Sequence, residues 1–139
     1  MSTMYEQIRE LFMADAFARG LGIEIVDIGE GHAAASLRVT SEMLNGAGVA
    51  NGGVTFTLAD YALAIAANTL GQNISLTANM SISFCGAVRA GDILTAEARA
   101  DVKSSRTAFL NVKVLNQSDA VIALAQGLTS ETSRQKPQF

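Results

Sequence analysis

The segment that most constrains the fold is Gly53 to Leu70, which reads as one helix with apolar residues on nearly every side. Val54, Phe56, Leu58, Ala59, Ala62, Leu63, Ile65 and Ala66 leave no polar stripe to face water. A helix of that kind is a buried one. Asn51 supplies its N-cap, and Gly71 sits where a C-terminal glycine belongs. The apolar run Val54 to Ala67 is too short and too interrupted to span a bilayer.

The rest of the chain must cover this helix. Leu94, Ala96, Ala98, Ala100 and Val102 share one face of a period-two pattern, and Thr95, Glu97, Arg99, Asp101 and Lys103 share the other. That is a half-buried strand of an antiparallel sheet. Ala108, Leu110, Val112 and Val114 repeat the pattern, as do the runs Ser75 to Phe84 and Ala120 to Thr129. Before the helix, Ile23 to Ile28 and His32 to Val39 read as two strands around a Gly29-Glu30-Gly31 turn. An N-terminal helix is expected over about residues 4–19, with Ile8, Leu11 and Phe12 on one side, and a loose polar tail over about 131–139. The order predicts an α+β domain over residues 1–139, a sheet curling round one central helix. One sheet cannot cover that helix fully, and a second subunit is the expected cover. The four methionines Met4, Met13, Met43 and Met80 are expected in the core.

Charge and composition exclude several classes. The net charge is −3 and the pI about 5.0, which argues against a nucleic-acid partner and against a polybasic membrane anchor. The first ten residues are polar and mixed in charge, unlike a signal peptide. Cys85 is the lone cysteine, so no intrachain disulfide forms. These features predict a cytoplasmic protein with neither metal nor cofactor. One cysteine and one histidine, His32, make a structural zinc site implausible, and no Gly-x-Ser-x-Gly elbow marks a serine hydrolase. His32 is expected at the surface.

Asp60 is the most informative side chain. It interrupts the apolar helix in the run Phe56-Thr57-Leu58-Ala59-Asp60-Tyr61-Ala62. A carboxylate is costly to bury without a partner. It either points to solvent, pairs with a distant cation, or is held in a cleft for base or nucleophile work. The second feature is the loop Asn45-Gly46-Ala47-Gly48-Val49-Ala50-Asn51-Gly52-Gly53. Its glycine pair allows close approach to the backbone, and the first N–H groups of a helix lack internal partners. They suit a developing oxyanion, although an ordinary capped loop reads the same way. Asp60 and Gly52 are eight residues apart, about 12 Å along a helix at ~1.5 Å per residue. That is too far for both to act on one carbon, so Gly52 of one subunit is expected to face Asp60 of another.

The element order, the N-G-x-G-x-x-N-G-G loop and the following F-x-L-A-D resemble the hotdog-fold acyl-CoA thioesterases of the phenylacetic-acid-degradation (PaaI) type. The resemblance covers roughly Leu21 to Ser130 and includes Gly91-Asp92 before the next strand. It implies a hotdog fold, a homodimer or dimer of dimers, and hydrolysis of an acyl- or aryl-CoA thioester. Asp60 would be nucleophile or general base, the Gly52 N–H would polarise the carbonyl, and Asn45 would place substrate or water. A hydroxyl on the strand after the helix assists in some members, and Thr77 falls about there. The family usually has His where this chain has Asn51, which hydrogen-bonds but does not titrate near neutral pH. Asn51 and Gly53 are therefore expected to contact substrate, with Arg89 and the turn residues Ser104 and Arg106 as candidates for the CoA phosphates. A non-catalytic acyl-CoA-binding protein is the alternative, with Asn51 marking lost chemistry.

Overall fold

A computed structural model describes residues 3–137. The elements are α1 (Met4–Met13), α2 (Ala16–Leu21), β1 (Glu24–Gly29), β2 (His32–Arg38), a single 3-10 turn (Ser41–Met43), α3 (Gly52–Asn68), β3 (Asn73–Phe84), β4 (Ile93–Ser104), β5 (Thr107–Leu115) and β6 (Val121–Gln135). The six strands form one antiparallel sheet in the order β1-β2-β4-β5-β6-β3. This is the expected α+β architecture, with α3 lying across the inner face.

Small side chains let α3 lie close to the sheet. Ala33, Ala35, Ala96, Ala98, Ala108, Ala123 and Ala125 form much of the buried floor, and residues 34, 97, 109 and 124 between or beside them are more exposed, as a half-buried sheet requires. Leu58, Leu63 and Ile65 of α3 fill the space above them and are wholly buried. Each such side chain contributes about 1.5–3 kcal/mol by leaving water. Gly127 of β6 marks the closest approach: a Cβ there would stand 2.6 Å from Leu63 Cδ1 and 3.2 Å from the Asn79 carbonyl oxygen.

Four expectations are corrected. The N-terminal helix is two helices, because the chain breaks at Ala14 and Asp15 restarts it by accepting the Ala18 N–H at 3.1 Å. The tail is strand as far as Gln135: the edge strand β3 pairs with it through Ser75↔Glu131 and Asn73↔Gln135. Gln138 and Phe139, the last residues of the expected tail, lie outside the described residues. Val102 leaves the buried face, because a bulge between Ala100 and Val102 shifts its register against β5 and leaves it 52% exposed. Met4 and Met13 are largely exposed on α1, whereas Met43 and Met80 pack at the core margin.

Helix α1 is tied to α3 by Tyr61. Its hydroxyl donates to the Phe12 carbonyl at 2.8 Å, and the two rings meet edge to face at 5.6 Å. Burial, with Asp15 nearby, pushes the Tyr61 phenol up to about 12. No helix among the described residues is long and apolar enough to cross a membrane.

Candidate active site

The start of α3 is built by Asn51. Its side-chain oxygen accepts the Gly53 N–H at 2.8 Å, and its carbonyl accepts the Val54 N–H at 2.9 Å. The Gly52 N–H falls between these two and donates to nothing among the described residues. The Phe84 ring lies across this glycine, so close that a Cβ would sit 3.0 Å from its Cζ. A helix N-terminus with a free N–H favours negative charge.

Asn45 is exposed, and its side-chain oxygen serves its own loop, accepting from Ala47 and Val49 N–H at 2.9 and 3.3 Å. Only its amide nitrogen remains to reach outward. The loop is anchored by the Ala50 N–H on the Val88 carbonyl at 2.7 Å and by the Asn51 N–H on Met43 at 2.8 Å. Gly53, also exposed, commits its N–H to the cap and accepts the Thr57 hydroxyl at 2.7 Å.

Asp60 lies two turns further along α3 and is half-buried. Thr77 of β3 donates its hydroxyl to Asp60 Oδ1 at 2.9 Å. No cation lies within ion-pair distance of Asp60 among the described residues. Oδ2 accepts no hydrogen bond among the described residues and is not buried. The exposed side of α3 carries Gly53, Thr57, Asp60 and Ala64, spaced four, three and four residues apart on one stripe.

The structure therefore brings Asp60 and Thr77 together, and keeps Gly52 about 12 Å up the same helix at ~1.5 Å per residue. It also separates the candidate cations. Arg89 lies in the loop that leads into β4, where its N–H, with the Gln117 amide, holds the Asp92 carboxyl below its ordinary range. Ser104 and Arg106 lie at and just beyond the far end of β4, a strand roughly 36 Å long at ~3.3 Å per residue. Within one chain these three do not converge. Thr107, beside Arg106, is aligned with Ser130 and through it with Leu76, so that turn stands on the Thr77 side. Arg89 stands on the Gly52 side, through the Ala50–Val88 hydrogen bond.

Asn68 is absent from the residues expected by sequence, although it carries the same signal as Asp60, a polar side chain within the apolar helix. It is 1% exposed. Its amide donates to the Ala64 and Ser75 carbonyls at 2.8 and 3.0 Å, and its oxygen accepts the Ser75 N–H at 3.0 Å. A hollow of about 900 Å³ lies elsewhere, on the outer sheet face among Asp27, His32, Glu97, Arg99 and Lys113. It contains neither Asp60 nor Gly52; it is the open saddle of a twisted sheet. His32 is at this surface, 3.0 Å from the Asp27 carboxylate. No group of three or more metal-ligating side chains occurs among the described residues.

The thioesterase superfamily model matches residues 47–123, a stretch that begins within the loop, after Asn45 and Gly46, and contains α3 and Thr77. The acyl-coenzyme A thioesterase PaaI of Escherichia coli K12 is 34% identical over 88% of this chain and 87% of its own. The structure of E. coli PaaI, from the phenylacetic acid degradation operon, is similar with a TM-score of 0.90 at 32% identity, over 95% of both chains. A hypothetical thioesterase protein of Streptococcus pneumoniae solved with coenzyme A has a TM-score of 0.82 at 26% identity, covering 91% of this chain and 98% of its own. A Streptococcus mutans protein solved with acetyl-CoA has a TM-score of 0.77 at 27% identity, covering 82% of this chain and 91% of its own. The chain belongs to the thioesterase superfamily, as a thioester hydrolase of the PaaI-like type built on the hotdog fold.

Proposed function

We propose that the protein hydrolyses an acyl- or aryl-CoA thioester to the free acid and CoA. The observation that carries this reading is Asp60, half-buried on α3 with Thr77 on one oxygen and the other oxygen open. Its open oxygen either attacks the thioester carbon or takes a proton from the attacking water. When Asp60 takes the water's proton, water adds to the carbonyl, the C–S bond breaks, and that proton passes to the departing CoA thiolate. When Asp60 attacks, C–S cleavage leaves an acyl-aspartate anhydride, and a water then hydrolyses it to the free acid, restoring the carboxylate and supplying the proton to the thiolate. The Gly52 N–H stabilises the oxyanion that forms on the carbonyl oxygen. The relatives solved with coenzyme A and acetyl-CoA support the CoA moiety.

The site is composite. Strand β3 is an edge strand twelve residues long, with Leu76 and Phe84 more than half exposed along it. An open edge of that length invites pairing with another chain. The bare Gly53-Thr57-Asp60-Ala64 stripe of α3 has side chains small enough to admit a partner's backbone. A two-fold dimer, alone or in a dimer of dimers, covers both and sets Gly52 of one subunit against Asp60 of the other. The same arrangement draws Arg89 from the first subunit, and Ser104 and Arg106 from the second, toward one CoA. Asn45, Asn51 and Gly53 line the substrate's approach. Turnover of a panel of acyl- and aryl-CoAs tests the reading. Asp60→Asn is expected to lose most activity while keeping its fold; near wild-type kcat in that variant overturns it.

A further inference from the structure

We infer that Asn68 is a positioning residue that sets the register of α3 against β3 and so holds Asp60 on Thr77; this rests on the catalytic reading of Asp60. A single side chain here takes both the N–H and the carbonyl of Ser75, as a neighbouring strand would. It does so at the sheet's edge, where the pairing of β3 with β6 shifts between Asn73 and Ser75. Asn68 also closes the last turn of α3 through the Ala64 carbonyl. The two backbone groups it satisfies belong to a buried residue, Ser75 at 6% exposure. No apolar side chain could replace it there without leaving both unpaired.

The geometry makes this contact a lever on the site. Asn68 is two residues along β3 from the Asp60 contact by way of Ser75, and about 12 Å along α3 at ~1.5 Å per residue. Between them the chain turns through only Thr69 to Gln72. A slip of α3 by one residue would move Asp60 by about 1.5 Å along the axis and about 100° around it. That takes its carboxylate off the Thr77 hydroxyl. Asn68 and the Asp60–Thr77 pair are thus two fastenings between the same helix and the same strand, and loosening the first misplaces the second.

The test compares Asn68→Ala, Thr77→Val and the double variant of the full chain on the best substrate of the panel. Folding is checked by circular dichroism, and Asn68→Ser, which can keep one bond to Ser75, replaces the alanine if that variant does not fold. We expect kcat to fall by about tenfold, with KM within about twofold, as for a group acting in the transition state only. The double variant should be no slower than the slower single one, because both changes spoil one contact. A loss of thermal stability with kcat unchanged overturns the proposal, and so does a loss that multiplies with that of Thr77→Val. Asp60→Asn is assayed alongside. If it keeps wild-type kcat, the catalytic reading fails, and Asn68 is judged by the crystal structure of Asn68→Ala. There a Thr77 Oγ1 to Asp60 Oδ1 separation beyond about 3.5 Å is expected. The unaltered 2.9 Å contact refutes the positioning role.

Discussion

Gly127→Ala and Leu63→Ala should each destabilise the protein, and together they should cost less than their sum. The new methyl in Gly127→Ala would lie 2.6 Å from Leu63 Cδ1, well inside van der Waals contact, and 3.2 Å from the Asn79 carbonyl oxygen. Leu63 is wholly buried, so its tip can yield only by pushing into packed neighbours. Overpacking of this kind costs about 1–3 kcal/mol. Alanine's lower unfolded-state entropy offsets about 0.5–1 kcal/mol of that. Leu63→Ala alone leaves a cavity and costs about 2–5 kcal/mol. In the double variant the clash with Leu63 is gone, the approach to the Asn79 carbonyl remains, and the added methyl fills part of the cavity. The pair should fall short of additivity by about 1 kcal/mol or more, within the range seen for residues in contact. Urea unfolding at one fixed protein concentration measures all three, so that subunit association contributes equally. Additivity within about 0.5 kcal/mol would show that Gly127 is not where α3 bears on the sheet.

Tyr61→Phe should change the alkaline limit of stability. Below pH 10 the phenol is protonated both folded and unfolded, and between 10 and about 12 only the unfolded chain ionises, so wild-type stability falls across that window. The phenylalanine variant should lack this component, and thermal melts at pH 10 and pH 11.5 that fall equally for both proteins would contradict it. Asn51→Ala should cost about 1 kcal/mol through the lost cap on the Gly53 N–H, read by the same urea titration. An unchanged midpoint would mean that the cap contributes nothing to holding the helix start.

The central helix was readable because burial on all sides is written in composition, and its cap because Asn51 immediately precedes the glycine pair. Asp60 was readable for the same reason, as a charge with no business in an apolar run. The tail was not readable: Glu131 to Gln135 are polar because they pair at the sheet's margin, and polarity alone resembles a loose end. Glu131 shows why. Its carboxylate accepts the Gln72 and Asn73 N–H groups at 3.2 and 3.0 Å and lies 3.4 Å from the Lys103 ammonium, a set of contacts spanning three separate segments. The Asn73 N–H, first among these, holds that carboxyl below its ordinary range. Val102 misled because one bulged residue inverts every later side chain of a strand. Arg89 and Arg106 were both sensible cations by type, and only the run of β4 between them shows that they sit at opposite ends. Asn68 needed Ser75 beside it before its amide meant anything.

Whether the site is shared between subunits can be decided by mixing defective ones. Gly52→Pro removes the free N–H at the first position of α3, where proline's fixed φ suits a helix start. Asp60→Asn removes the carboxylate. The two variants, confirmed as folded by circular dichroism, are co-expressed with different tags, and the doubly tagged species is isolated and assayed. Each homodimer lacks one component in both of its sites. A mixed dimer has one site lacking both components and one site intact. A shared site gives inactive parents and recovery in the mixed dimer to about half of wild-type turnover. Mixed dimers that assemble but stay as inactive as their parents would place both components in one chain and refute the shared site.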